Sequence, residues 1–145
     1  MFMGQYQHSL DNKGRLTVPV RYREMLENGA YITQGFDRNL MVWTVSAFEK
    51  ISQRVAGESI TNPTIRLLQR LIFSSSEQVE VDGAGRILIP QFLRQVAQLD
   101  NTAIVVGVGT YFEIWSPEFW AEQLALLQDA EANAQRFVAF DISSA

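Results

Sequence analysis

The stretch HSLDNKGRLTVPVRYREML, residues 8–26, is matched later in the chain by VEVDGAGRILIPQFLRQVA, residues 79–97. The two stretches align without a gap at an offset of 71 residues, and most of the apolar positions stay apolar. The chain therefore contains an internal repeat. The identical positions are Asp11 and Asp82, Gly14 and Gly85, Arg15 and Arg86, Pro19 and Pro90, and Arg23 and Arg94.

The repeat continues beyond these stretches once a single inserted residue changes the offset to 72. A unit of this size is too small to bury its hydrophobic face alone, so we expect two copies related by a pseudo-twofold axis. We predict a first repeat over residues 1–61, a connecting helix over 62–75 and a second repeat over 76–145, forming one intertwined unit. The later matches pair Gly35 with Gly107, Trp43 with Trp115, and Thr44 with Ser116.

Turn and helix signals divide each copy into strand, turn, strand, short helix, strand, turn, strand and helix. Asp-Asn-Lys-Gly and Asp-Gly-Ala-Gly are hairpin turns, because Asp can accept from the backbone ahead of it and Gly can take a positive φ. Pro19 and Pro90 end the next strands, since proline cannot donate to a β ladder. Asn62 before Pro63 and Ser116 before Pro117 are helix starts.

These signals predict an α+β, β-rich fold in which the C-terminal tail, residues 141–145, frays. The predicted strands span residues 5–10, 15–18, 31–35 and 40–44 in the first copy and 78–81, 86–89, 103–108 and 112–115 in the second, and the predicted helices span residues 20–28, 62–73, 91–98 and 117–137.

Length and composition narrow the function classes. A chain of 145 residues with 47% hydrophobic residues can bury a core but is too short for a multi-domain enzyme. It contains no cysteine, which excludes disulfides, thiolate metal sites and a cysteine nucleophile. No segment approaches the roughly 20 apolar residues of a membrane helix. We expect a soluble, cytoplasmic protein that does not contact a membrane.

The charge is distributed unevenly. The net charge is −4, yet residues 1–70 carry nine Lys or Arg against six Asp or Glu, whereas residues 71–145 carry three against ten. Lys13, Arg15, Arg21 and Arg23 fall within twelve residues that contain no acid. A local basic patch is therefore possible on an acidic protein, although four such residues are also typical of a solvated surface.

Catalytic and cofactor signals are weak. The single histidine, His8, corresponds to the apolar Val79, which favours a structural role. No His/Asp/Glu cluster has metal-ligand spacing, and Gly107-Val-Gly109 lacks the third glycine and following helix of a dinucleotide site. We predict no cofactor and no metal. A hydrolase that uses Asp11, Asp82 and His8 is left as an alternative that would require a pocket of converging polar groups.

The repeated Asp-x-x-x-Arg motif is the one constellation whose spacing needs an explanation. Across a hairpin turn its first and last residues face each other on opposite strands, so the Asp can hold the Arg. One interpretation is that the pair only stabilises the hairpin. The other is that the turn displays a braced Arg15, with Lys13 at its tip and Arg21 close by, to a phosphate-rich partner.

The chain resembles the MraZ family over essentially its whole length. The resemblance rests on MFMGQYQHSLDNKGRLTVP (residues 1–19), on the two Asp-x-x-x-Arg motifs and on VDGAGRILIP (residues 81–90). It implies an AbrB-like fold in which two swapped hairpins interlock into a β-barrel with flanking helices. It also implies a nucleoid-associated regulator of the bacterial division and cell wall gene cluster, which forms rings and binds short direct repeats in double-stranded promoter DNA.

The resemblance and the basic stretch together predict the functional residues. We expect a repressor without catalytic activity, in which Arg15 contacts DNA more strongly than Arg86 because acidic residues surround the second motif. We also expect a ring-shaped homo-oligomer, and the alternative is an assembly or antitoxin-like interaction module. The predicted DNA-binding residues are Asn12, Lys13, Gly14, Arg15, Arg21 and Arg86, supported by Asp11 and Asp82, and the aromatic residues considered for subunit contacts are Trp43, Phe48, Trp115, Phe119, Trp120, Phe137 and Phe140.

Overall fold

A computed structural model of the chain describes residues 1–142, and the predicted fraying of the tail concerns residues that lie partly outside this range. The described part is α+β, as predicted. Its strands are β1 (Gln5–Ser9), β2 (Arg15–Thr17), β3 (Ala30–Gln34), β4 (Leu40–Thr44), β5 (Glu77–Val79), β6 (Arg86–Leu88), β7 (Thr102–Gly107) and β8 (Tyr111–Trp115). Its α-helices are α1 (Val20–Arg23), α2 (Val45–Ala56), α3 (Pro63–Ser75), α4 (Gln91–Val96), α5 (Pro117–Leu127) and α6 (Ala130–Arg136).

The strands form an open six-stranded sheet in the order β1-β7-β8-β4-β3-β5 and a separate two-stranded ladder of β2 with β6. All of these pairings are antiparallel. The predicted closed β-barrel is therefore wrong. β2 and β6 have only three residues each before Pro19 and Pro90, which lack the N–H that a longer ladder needs. They consequently pair with each other and leave β1 and β5 as edges of the larger sheet.

Strands from the two repeats are interleaved in the large sheet and pair with each other in the two-stranded ladder. β1 of the first repeat pairs with β7 of the second, and β5 of the second repeat pairs with β3 of the first. The middle of the large sheet joins β4 to β8. The main core lies where these strands meet, and Leu16, Ile32, Ile87 and Ile114 are completely buried in it. Each repeat therefore depends on the other for its hydrogen bonds and its core.

The short helices after β2 and β6 end earlier than predicted. After α1 the chain continues as a 3₁₀ turn, Glu24–Leu26, and Gly29 adopts a φ of +91°. Its N–H donates to the carbonyl of Leu26 at 2.9 Å, which ends the helix before residue 28. In the second repeat, Gln98 takes a φ of +52° and ends the region of α4 in the same way.

The predicted helix over residues 117–137 is broken into α5 and α6, so a single long C-terminal helix is wrong. Asp129 leaves the helical conformation, and its carboxylate accepts from the N–H of Ala132 at 3.1 Å. Aspartate competes with the helical backbone in this way and is a preferred N-cap. The helix that closes the first repeat, which the sequence analysis left without bounds, is α2, and α3 begins at Pro63 as predicted.

Most of the aromatic residues that we considered for subunit contacts pack inside the chain. Trp43 and Phe48 are buried in one cluster under α2, and Trp115 and Trp120 are buried in another under α5. The exposed members of the predicted set are Phe137 and Phe140, which follow α6. Burial against the sheet therefore leaves Phe137 and Phe140 as the most exposed rings of this set.

Candidate functional site

The two Asp-x-x-x-Arg motifs form hairpin turns of the same backbone geometry. In the first, the N–H of Asp11 donates to the carbonyl of Arg15, and the N–H of Gly14 donates to that of Asp11, both at 3.0 Å. The equivalent bonds in the second turn are 2.8 and 2.9 Å. Gly14 and Gly85 have φ values of +90° and +78°, which side-chain-bearing residues rarely adopt. The predicted turns are confirmed.

Asp11 braces the first turn. Its Oδ1 accepts from the N–H of Lys13 at 3.0 Å and of Arg15 at 2.9 Å, and its Oδ2 accepts from Nε of Arg15 at 2.7 Å. These donors lower the pKa of Asp11 to about 2, the backbone N–H of Arg15 being the largest cause. The carboxylate is ionised near neutral pH, where it fixes both the turn and the direction of the arginine.

Asp82 braces the second turn less tightly. Its Oδ1 accepts from the N–H groups of Ala84 and Arg86, both at 2.9 Å, and the backbone bond from Arg86 is the largest cause of its lowered pKa. Nε of Arg86 lies 3.3 Å from Oδ2 of Asp82, but its N–H has no hydrogen-bond acceptor among residues 1–142. The second arginine is thus held mainly by charge.

The two turns flank the short antiparallel β2–β6 ladder, one at each end. The ladder places Arg15 opposite Leu88 and Thr17 opposite Arg86. It brings Nη1 of Arg86 to 3.6 Å from Oδ2 of Asp11, so Arg86 contacts the aspartates of both turns. The ion pair of Arg15 in the described chain is with Asp11. Sequence analysis paired each arginine with its own aspartate and missed this contact between the repeats.

Arg23 and Arg94 also belong to the site, although the sequence analysis did not assign them. Nε of Arg23 donates to the carbonyl of Val18 at 2.9 Å, and Nε of Arg94 donates to that of Ile89 at 3.1 Å. The guanidinium of Arg23 lies on Gly85 and that of Arg94 lies on Gly14, so each arginine packs against the turn of the other repeat. Their identity in the aligned repeats was the signal that could have found them.

Most of the side chains predicted to contact DNA are accessible to solvent. Asn12, Lys13 and Arg21 are exposed, whereas Gly14 is buried beneath the guanidinium of Arg94. Within residues 1–142 only Nε of Arg15 is engaged, which leaves both of its Nη nitrogens as donors for a ligand. Four predicted contact residues are therefore accessible to solvent, and Gly14 serves the backbone rather than a ligand. The second turn carries Gly83 and Ala84 at the positions of Asn12 and Lys13.

The histidine and the turn aspartates are arranged for structure more than for acid–base chemistry. His8 lies on β1 with its ring 6.3 Å from that of Tyr6, and burial, followed by the charge of Arg23, lowers its pKa. Asp11 holds no proton near neutral pH because its pKa is about 2. Within residues 1–142, no group of three or more His, Asp or Glu side chains is placed to hold a metal ion.

Comparison with known proteins identifies the family. The model of the family described as "MraZ protein, putative antitoxin-like" matches residues 1–71 and again residues 72–141. The chain belongs to the MraZ family. The chain is 42% identical over 137 residues to the transcriptional regulator MraZ of Roseiflexus castenholzii, and this alignment covers 94% of each chain.

Other MraZ relatives match over a similar length. The transcriptional regulator MraZ of Thermomicrobium roseum is 43% identical over 137 residues, which cover 94% of this chain and 96% of the relative. The MraZ regulator of Moorella thermoacetica is 41% identical over 143 residues, which cover 98% and 100%. A role in transcriptional regulation follows for the family. In the part of the chain that the structure describes, none of the helices has the length and apolar character to cross a membrane.

The close packing at Gly14 predicts a large effect of a single methyl group. A Cβ at Gly14 would lie 2.7 Å from Nε of Arg94 and 2.9 Å from the carbonyl oxygen of Ile89, at a φ of +90°. We expect Gly14→Ala to destabilise the fold by about 1–2 kcal/mol or more, measured by urea unfolding. The control is Gly83→Ala, where a Cβ meets nothing within 4 Å. Equal stability of the two variants would contradict the packing.

The bracing of Asp11 predicts its titration. Because its pKa is lowered in the folded state, ionised Asp11 stabilises the turn above its unfolded pKa of about 3.9, and this contribution is lost as the pH falls toward 2. We expect NMR titration of the side-chain carboxyl carbon to give a pKa of about 2. Arg15→Ala should raise that pKa only partly, since the backbone N–H bonds remain. An ordinary pKa in the intact protein would contradict the bracing.

Proposed function

We propose that this MraZ-family protein is a sequence-specific DNA-binding repressor of the bacterial division and cell wall gene cluster. The observation that carries the proposal is the pair of aspartate-braced turns at the two ends of the β2–β6 ladder, with Arg15, Lys13 and Arg21 accessible to solvent. The names of the relatives, which are transcriptional regulators, support the regulatory role. In this proposal the protein has no enzymatic activity and works in the cytoplasm, associated with the nucleoid.

A braced arginine suits the recognition of DNA. The guanidinium plane can donate two parallel hydrogen bonds to guanine or to a phosphate, and fixing it in advance reduces the entropy lost on binding. The bond from Nε to Asp11 fixes the side chain of Arg15 and leaves the two Nη nitrogens for the DNA. Lys13 and Arg21 then supply phosphate contacts, which position the protein without reading sequence.

Binding by a single copy would be weak, because the site offers few cations and the chain as a whole is acidic. We therefore propose a homo-oligomeric ring that presents several pairs of turns to one duplex. Neighbours in a head-to-tail ring are related by a rotation that is not a twofold, so their turns read direct repeats rather than a palindrome. The exchange of β1 and β5 between the repeats supports an AbrB-like swapped-hairpin unit within each copy.

An interaction module of the antitoxin type is the second candidate. The description of the family as antitoxin-like and the exposed apolar residues that follow α6 favour it. Such a module would copurify with a protein partner and would not bind DNA at any salt concentration.

A gel-shift and footprinting experiment on the DNA upstream of the chain's own gene tests the proposal. We expect protection of direct repeats spaced roughly 10 base pairs apart, and an affinity that falls as the salt concentration rises. Insertion of half a helical turn between the repeats should lower the affinity sharply, because the sites would then face opposite sides of the duplex. Unchanged binding after the insertion would refute the geometry, and the absence of binding would refute the function.

The two arginines should differ in their effect on this binding. We expect Arg15→Ala to cost roughly 1–3 kcal/mol per engaged subunit, since a recognition contact is lost. Arg86→Ala should act mainly on folding or assembly, because Arg86 holds both Asp11 and Asp82. Gel shift and thermal unfolding on both variants separate the two effects. Normal binding by Arg15→Ala, with binding abolished in a stable Arg86→Ala variant, would reverse the assignment.

A further inference from the structure

An open groove of about 800 Å³ lies along the first turns of α2. Ala47, Lys50, Ile51 and Arg54 line it from the helix, at the spacing of one helical face. The opposite wall includes Phe2 and Met25, Trp43 lies at the base of α2, and Thr110 closes one end. The groove is therefore apolar at its floor and basic along the helix, and it lies outside the paired turns described above.

The equivalent place in the second repeat is filled. Thr44 accepts from the N–H of Ala47 and Ser116 accepts from the N–H of Phe119, each at 3.1 Å, so Ala47 and Phe119 hold the same position after their helix caps. The ring of Phe119 packs on the cluster around Trp115, and the guanidinium carbon of Arg38 lies 4.3 Å from its centroid.

At the groove beside α2, both filling residues are replaced by smaller ones. At the offset of 72, Phe119 corresponds to Ala47, and Arg38 corresponds to Thr110. Two small side chains thus replace an aromatic ring and the guanidinium that covers it, and the groove is the space that they leave. Because the same fold accepts a phenylalanine at this position in its other half, the chemistry that suits the groove is an inserted aromatic ring.

The chain itself carries such rings without a place to bury them. The exposed fractions of Phe137, Val138, Phe140 and Ile142 lie between 56% and 84%. Together with Ala134, these side chains line one apolar hollow. Contiguous exposed apolar side chains of this kind mark interaction sites. We name residues 129–142 the C-terminal segment.

Charge and position indicate contact between copies. Lys50 and Arg54 give the groove an excess of positive charge over Glu49, and Asp129 and Glu131 give the start of the C-terminal segment an acidic character. Opposite charges at such a contact favour the correct pairing.

The sheet places the groove and the start of α5 at opposite ends. Trp43 pairs with Tyr111 and Leu40 pairs with Ile114, so the antiparallel strands β4 and β8 end at opposite ends of the sheet. α2 follows β4, and α5, which leads to the C-terminal segment, follows β8. The groove and the start of the helices that carry the segment therefore lie at opposite ends, an arrangement that suits a head-to-tail contact.

We propose that the C-terminal segment of one copy inserts Phe137 or Phe140 into the α2 groove of the next copy. The inserted ring takes the place that Phe119 occupies in the second repeat, beside Trp43. Such a contact uses different surfaces on the two copies and can close a ring. The inference deepens the proposed function, since it rests on the oligomer that was proposed there and names the surfaces that build it.

Filling the α2 groove, or removing the phenylalanine side chains of the C-terminal segment, should each disrupt the oligomer. We expect Ala47→Phe combined with Thr110→Arg, which copies the second repeat, to change the oligomer into a 16.4 kDa species in light scattering. Phe137→Ala combined with Phe140→Ala should do the same. The control is Leu67→Ala, an exposed apolar residue outside both surfaces, which should leave the assembly intact. Circular dichroism checks that each variant is folded.

Mixing the two variants tests their complementarity. The groove-filled variant keeps its C-terminal segment and the phenylalanine-free variant keeps its groove, so an equimolar mixture should form one-to-one dimers while neither forms larger species. A variant pair with Ala47→Cys in one chain and Phe140→Cys in the other should form an intermolecular disulfide, since the chain has no other cysteine. No dimer and no crosslink would overturn the inference.

Other occupants give different results. If the C-terminal segment fills the α2 groove of its own chain, a single chain with both Ala47→Cys and Phe140→Cys forms a disulfide within a monomer. That result overturns the contact between copies. If the wild-type oligomer is unchanged by all of these substitutions, the inference fails while salt-sensitive DNA binding in the gel shift can still hold. If the wild-type chain is monomeric, both this contact and the proposed ring fail, and the gel shift decides the DNA-binding function separately.

Discussion

Two hydrogen bonds between the repeats hold the candidate site together. The N–H of Val18 donates to the carbonyl of Gly85 at 2.9 Å, and the N–H of Ile89 donates to that of Gly14 at 2.8 Å. They extend the β2–β6 ladder into the turns, so the backbone of each turn is tied to the strand of the other repeat. The contact of Arg86 with Asp11 and the packing of Arg23 and Arg94 depend on this spacing. Each repeat thus holds the turn of the other in place, in addition to pairing with its strands.

Local features of the fold were predictable because their causes are local. Asp, Gly and Pro determine both hairpin turns through side-chain acceptance, positive φ and the missing N–H, and the strands around them follow. The caps at Asn62 and Ser116 place α3 and α5 for the same reason. The aligned repeat also predicted that Asp11 and Arg15 would meet, since a turn of fixed length brings them together.

Features that depend on distant residues were not predictable from the pattern. An alternation of apolar residues does not say whether short strands close a barrel or form a separate two-stranded ladder. The exposed or buried state of Trp43 and Phe137 depends on which helix covers the sheet, and Asp129 breaks a pattern that is otherwise helical. Arg23 and Arg94 were visible as repeated residues, but only the packing of one repeat on the other gives them a role.

The pairing of β1 with β7 has a consequence for synthesis of the chain. Gln5 is hydrogen-bonded alongside Val106, so the first strand to leave the ribosome has to wait about a hundred residues for its partner. During that interval β1 lacks its neighbouring strand and the Asp11 turn lacks Ile89, whose N–H donates to the carbonyl of Gly14. Long-range pairings of this kind form slowly. A chain truncated before the second repeat therefore lacks the strand partners of β1 and β2 and the contacts that hold the Asp11 turn in place.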